Sequence, residues 1–222
     1  MYLTQFEING RRREARRLLG SPQAMHAAVM AAFPPGADAG RVLWRVDPGE
    51  HGVQTLYLVS REAPDLMHLV EQAGWETLTW RTADYDGLLG RLMSGQVWRF
   101  RLMANPTKAV RQDSEVPGGE GGRSKRFAHV TAAQQLEWFL SRTVGWGFDV
   151  PEGSVDGEPA ALVVAREIRT FQRKGRTVTV STATFEGLLQ VRDPDVLRMA
   201  LTGGIGPAKA YGCGLLTLAP VD

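Results

Sequence analysis

The sequence predicts an α+β fold made of two tandem βαββαβ units, one over residues 1–90 and the other over 95–222. Three observations carry this. Apolar and polar residues alternate in short runs, first at Tyr2, Thr4, Phe6 and Ile8, which is the period-two signature of half-buried strands. Stretches of helical period separate these runs, and their order is strand, helix, strand, strand, helix, strand in each half, although no sequence-level repeat links the halves. With 222 residues, 43% of them hydrophobic, the chain is long enough to enclose one or two cores.

In the first half, the opening strand leads into a helical region over 11–33. Ser21 before Pro22 has the form of an N-cap followed by proline at the first helical position, so this region is expected to break there into two pieces. Val42–Val46 and Val53–Val59 read as strands, 64–73 as a helix and Trp75–Trp80 as the closing strand. The join to the second unit falls around Gly87 to Gly95.

The second half opens on Val97–Met103, where Trp98, Phe100 and Leu102 form a core face and Arg99 and Arg101 the opposite, basic face, expected along the surface between the units. Residues 113–126 hold four glycines, a proline and mixed charges without periodicity, and read as a mobile, solvated loop in which Arg123, Lys125 and Arg126 are basic. Thr131 with Gln134 forms a capping box ahead of Leu136, Phe139, Leu140 and Val144. Strands follow near 161–168 and 177–191, Asp193-Pro194 starts the last helix, and Gly214–Leu218 is the last strand.

The net charge is only +2, so an anionic partner must be argued from where the 26 basic residues lie rather than from their excess. They form two clusters. Arg11, Arg12, Arg13, Arg16 and Arg17 precede the Ser21 break, with Arg13, Arg16 and Arg17 on one helical face. Arg166, Arg169, Arg173, Lys174 and Arg176 surround a hairpin tip. A single cysteine, Cys213, excludes an intramolecular disulfide and a cysteine-based zinc site, and is expected to pack. Apolar runs fall far short of a membrane span and nothing at the start resembles a signal peptide, so a cytoplasmic protein is expected.

Gly203 to Pro220, GGIGPAKAYGCGLLTLAP, concentrates five glycines around Lys209. Two readings stand: a loop whose backbone, at Gly204 and Gly206 especially, comes close to an anion together with Lys209, or a corner that only turns the chain. It matches neither a Walker loop nor the GxGxxG spacing. Of the four histidines, His51 lies in a Gly-rich turn, His68 in a mixed helix and His129 at the edge of the 113–126 loop. His26 flanks the apolar stripe of Met25, Val29, Ala32 and Phe33. Periodicity alone reads it as a half-buried histidine near a helix start.

MYLTQFEI at the start, FRLMANPTKAV at 100–110, Phe185-Glu186-Gly187 and the glycine-rich segment occur in an order that resembles the CasE family of CRISPR RNA-processing endoribonucleases, over nearly the whole chain. The resemblance implies two ferredoxin-like (RRM-like) domains, recognition of a repeat RNA hairpin, and cleavage at its 3′ base with neither metal nor cofactor, giving 5′-hydroxyl and 2′,3′-cyclic phosphate ends. It places the catalytic histidine on His26 and puts Gln23 where the family carries a tyrosine. With RNA as the partner, contacts are expected at Arg13, Arg16, Arg17, Arg166, Arg169, Arg173, Lys174, Arg176, Lys209, Gly204 and Gly206, and the resemblance implies that the 173–176 hairpin enters the RNA groove. It also implies other Cascade subunits as partners. Gln23 leaves a second reading, a weak or silent RNA-binding subunit, and the glycine loop a third, a binder of small anions.

Overall fold

The structure is a computed structural model that describes residues 1–110, 125–173 and 175–221; Lys174 and most of the loop expected over 113–126 lie outside them. The first half contains strand β1 (Tyr2–Asn9), helices α1 (Arg13–Gly20) and α2 (Pro22–Met30), strands β2 (Leu43–Pro48) and β3 (Val53–Ser60), helix α3 (Met67–Ala73) and strand β4 (Trp80–Asp84). These strands form one antiparallel sheet in the order β2-β3-β1-β4. After a short helix α4 (Asp86–Leu89), the second half contributes β5 (Val97–Ala104), a small pair β6 (Thr107–Val110) and β7 (Lys125–Ala128), α5 (Ala132–Leu140), β8 (Phe148–Asp149), β9 (Ala161–Arg173), β10 (Arg176–Val191), α6 (Pro194–Gly203) and β11 (Leu216–Ala219). Its sheet runs β11-β5-β10-β8, with β9 also paired to β10. In each sheet the first strand of the unit lies beside the last and the third, the ferredoxin-like βαββαβ arrangement expected from the sequence.

The helical region 11–33 does break at Ser21, whose hydroxyl accepts from the Ala24 N–H at 3.2 Å and starts α2. The capping box of α5 forms as expected, with Thr131 and Gln134 bonding reciprocally. One strand differs: residues 75–79 turn, with only an isolated Trp75–Leu78 bridge, and the closing strand begins at Trp80. Its register against β1 pairs Phe6 with Trp80 and Tyr2 with Asp84. That pairing, rather than the local apolar count over 75–80, selects the strand.

Each sheet packs helices on one face. Phe6, Ile8, Leu56 and Leu58 meet Ala15, Leu18, Met25, Val29 and Leu69 in the first core. The second is aromatic: Phe139 stacks on Phe185 at 4.8 Å and on Phe100 at 5.3 Å. Phe100 thus belongs to the core face expected for it. Leu43 and Val59, paired across β2 and β3, leave the first unit and enter this second core.

The seam between the sheets contains a buried charge. Arg45 on β2 is 1% exposed; it donates to the Asp47 carboxylate at 2.7 and 2.8 Å, to the carbonyls of Arg101 and Leu215 at 2.9 and 2.8 Å, and to the Thr217 hydroxyl at 2.9 Å. Arg101 also pairs with Asp47, at 3.1 Å, and with Glu186. The expected basic face of β5 is therefore neutralised at Arg101 and serves as part of the joint.

Candidate active site

His26 sits one turn into α2, beside Met25, which is buried in the first core, and is itself half-buried. The same helix packs against β9 and against the short 3-10 turn Lys209–Tyr211 within the glycine loop. The histidine is thereby carried to the place where the first unit meets the hairpin and the C-terminal loop of the second. Its pKa is lowered from the ordinary 6.5, first by burial and then by the positive charge of Arg173. Among the described residues its Nδ1 is buried without a hydrogen-bond partner, so no acid or carbonyl at that atom favours the charged ring. A neutral imidazole in this position is suited to accept a proton near pH 7.

Arg173 ends β9. Its Nη1 donates to the Tyr211 hydroxyl at 2.8 Å and its guanidinium lies 5.8 Å from the centre of that ring. Gln23 lies three residues before His26 on the same helix and is half-buried. The other histidines have different surroundings. His68 bonds the Ala28 carbonyl at 2.9 Å and ties α3 to α2, while the His51 side chain is 88% exposed. The His129 carbonyl accepts from Gln135.

The two arginine clusters divide by use. Arg12 points inward and donates to the carbonyls of Val70, Glu71 and Gly74, capping the C-terminus of α3. Arg13, Arg16 and Arg17 are exposed on α1, with Arg17 paired to Glu14 at 2.7 Å. On the hairpin, Arg166 donates to the Val130 carbonyl and Arg169 pairs with Glu167 at 2.7 Å. Arg176 is exposed.

The glycine loop is shaped mainly by the protein's own packing. A Cβ on Gly204, at φ +77°, would lie 2.6 Å from the Leu43 side chain, and one on Gly212, at φ +84°, 2.8 Å from the Trp44 ring. The Gly204 N–H bonds the Ala200 carbonyl, and Lys209 Nζ donates to the Gly206 carbonyl at 2.6 Å. Gly204 therefore does not offer its amide to an anion, because that amide closes α6. The Lys209 pKa is lowered, first by burial and then by Arg41. Cys213 packs, as expected, and burial pushes its thiol up to about 12.

Sequence reasoning missed Tyr211 and Arg45. A tyrosine inside a glycine-rich turn was the available signal for the first. The second lay in a strand pattern indistinguishable from any half-buried one.

Tandem ferredoxin-like units with a neutral histidine beside an arginine-rich hairpin define a class of protein equipped for acid–base chemistry on an anionic polymer. A family described as CRISPR associated protein matches residues 1–220. The CRISPR-associated endoribonuclease Cse3 of Thermus thermophilus is 30% identical over 99% of this chain and 100% of its own. The CRISPR system Cascade subunit CasE of Escherichia coli is 33% identical over 89% of this chain and 91% of its own. The chain belongs to this CRISPR-associated family. A structure of Cse3 bound to a 19-nucleotide RNA, 30% identical, superposes with a TM-score of 0.80 over 99% of this chain and 100% of that one. One of Thermus thermophilus Cse3 with an RNA representing a pre-cleavage complex, 31% identical, gives 0.78 over 99% and 98%.

Proposed function

We propose that this chain is an endoribonuclease that cuts the repeat hairpin of CRISPR precursor RNA in the cytoplasm, needs no metal, and keeps the product hairpin within a Cascade assembly. The observation that carries this is the neutral His26 held where α2 meets the basic hairpin and the C-terminal turn. Its relatives support the substrate, one being named an endoribonuclease and another a Cascade subunit. In the reaction O2′ attacks the phosphorus, the P–O5′ bond breaks, and one proton passes in net from O2′ to O5′. His26 takes part in that transfer, and positive charge offsets the charge gathering on the phosphate oxygens. The RNA surface is assigned to Arg13, Arg16, Arg17, Arg166, Arg169, Arg173, Lys174 and Arg176, with Lys209 and Gly206 in the glycine loop.

Gln23 favours a second reading. Glutamine supplies no proton at neutral pH, so a silent subunit that only binds the hairpin is the rival. Incubating the protein with a labelled CRISPR-repeat hairpin RNA in EDTA separates them. Cleavage to a 2′,3′-cyclic phosphate and a 5′-hydroxyl is expected; tight binding with no product would establish the silent subunit instead.

A further inference from the structure

An arginine at the end of a long hairpin has considerable rotamer entropy to lose before it can hold one position. Arg173 is fixed nonetheless, by a hydrogen bond of 2.8 Å to the Tyr211 hydroxyl and by its place over the same ring. Tyr211 is itself immobilised. It is 9% exposed, its ring meets Phe171 edge to face at 4.7 Å between centroids, and its N–H bonds the Ala208 carbonyl in a turn where Ala208 adopts φ +62°. Left-handed backbone at a non-glycine residue is uncommon and is sustained only by surrounding structure. The turn that presents Tyr211 and the strand that presents Arg173 are both packed on the helix that carries His26.

We propose that Tyr211 is a positioning residue for RNA cleavage, holding the Arg173 guanidinium beside His26 as the positive charge that meets the scissile phosphate. The inference rests on His26 being the cleavage residue, as read above. Tyr211 engages a single Nη1 donor, and a guanidinium has five N–H groups, so the remaining ones can face two phosphate oxygens. The charge of Arg173 also reaches His26 and favours its neutral form, the form that accepts a proton. Arg173 thus acts in the chemistry as well as in hairpin binding. Tyr211 acts through it without touching RNA.

The test is a double-mutant cycle in single-turnover cleavage, with saturating protein and the labelled repeat hairpin. Tyr211→Phe keeps the ring against Phe171 and removes only the hydroxyl. It should slow cleavage by about tenfold to a hundredfold, the range expected when a reacting group is misplaced by about 1 Å, while hairpin affinity and melting temperature stay near wild type. Arg173→Ala should slow cleavage at least as much. Because one residue acts through the other, Tyr211→Phe/Arg173→Ala should be no slower than Arg173→Ala alone. A wild-type rate for Tyr211→Phe, or losses that multiply in the double variant, would overturn the proposal. His26→Ala run in parallel keeps the two readings apart. If it cleaves normally, the site itself is misassigned; if it is inactive while Tyr211→Phe is normal, only the role of Tyr211 fails.

Discussion

His26 has two properties that make its role measurable: it is only half-buried, and it is neutral at pH 7 because burial and then Arg173 lower its pKa below 6.5. A proton-transfer residue contributes roughly 10²- to 10⁴-fold to rate and little to ground-state affinity. His26→Ala is therefore expected to abolish detectable cleavage, bind the hairpin as wild type does, and melt normally. A lower melting temperature with cleavage retained in the folded fraction would instead mark a histidine of the core. The pH dependence has a definite sign. A base with a depressed pKa is already deprotonated at neutral pH, so the concentration-dependent cleavage term, which reports the free protein, should be flat from pH 7 upward and fall only below pH 6.5. An acid limb centred above 7 would contradict a neutral His26. Gln23→Tyr adds a hydroxyl one turn away on the same face. A faster single-turnover rate is expected if Gln23 marks a weakened site.

At the scale of elements, α1 shows why counting arginines misleads. Arg12 closes the end of α3 by bonding three carbonyls, whereas Arg13 and Arg16 are exposed on the helix that precedes His26. Arg12→Ala should cost about 1–3 kcal/mol of stability by leaving those carbonyls without their partner, measured by urea unfolding, with no change in the salt dependence of hairpin binding. Arg13→Gln with Arg16→Gln should do the reverse, leaving stability alone and reducing the salt slope by about one for each phosphate contact removed. Equal slopes would take α1 out of the RNA surface. The helix break at Ser21, the α5 cap and the core face of β5 were legible because each is written in neighbouring residues. Position 80 as the start of β4 was not, since its pairing with Phe6 of β1, far away along the chain, sets it. The purpose of the glycines was not either. At Gly204 and Gly212 a Cβ has no room against Leu43 and Trp44, which only the folded chain brings beside them. The site divided in the same way: His26 was reachable through family resemblance, whereas the meeting of residues 26, 173 and 211 exists only in three dimensions.

Across the whole molecule, the two βαββαβ units, which we place at 1–90 and 95–222, share more than a linker. Leu43 and Val59 of the first sheet are buried in the second core, and Arg198 on α6 donates to the carbonyls of Leu89 and Leu92 at the join. Arg45 fastens β2 to β5 and to the segment entering β11. α2 packs on β9 and on the Lys209–Tyr211 turn across the same two units, so the geometry around His26 depends on how the units are joined. Unfolding in urea should then be one cooperative transition, with tryptophan fluorescence and far-UV circular dichroism coincident. Residues 1–90 expressed alone should expose Leu43 and Val59 and fail to give a cooperative fold. Arg45→Ala is the sharper test. It removes the main partner of a largely buried Asp47, for which losses of about 3–5 kcal/mol are typical; the effect should fall toward the lower end because Arg101 still approaches Asp47 at 3.1 Å. Cleavage should slow in the molecules that remain folded, since loosening the seam moves His26 relative to Arg173. A variant that loses stability yet cleaves at the wild-type rate would show that each unit carries its part of the site rigidly without help from the seam.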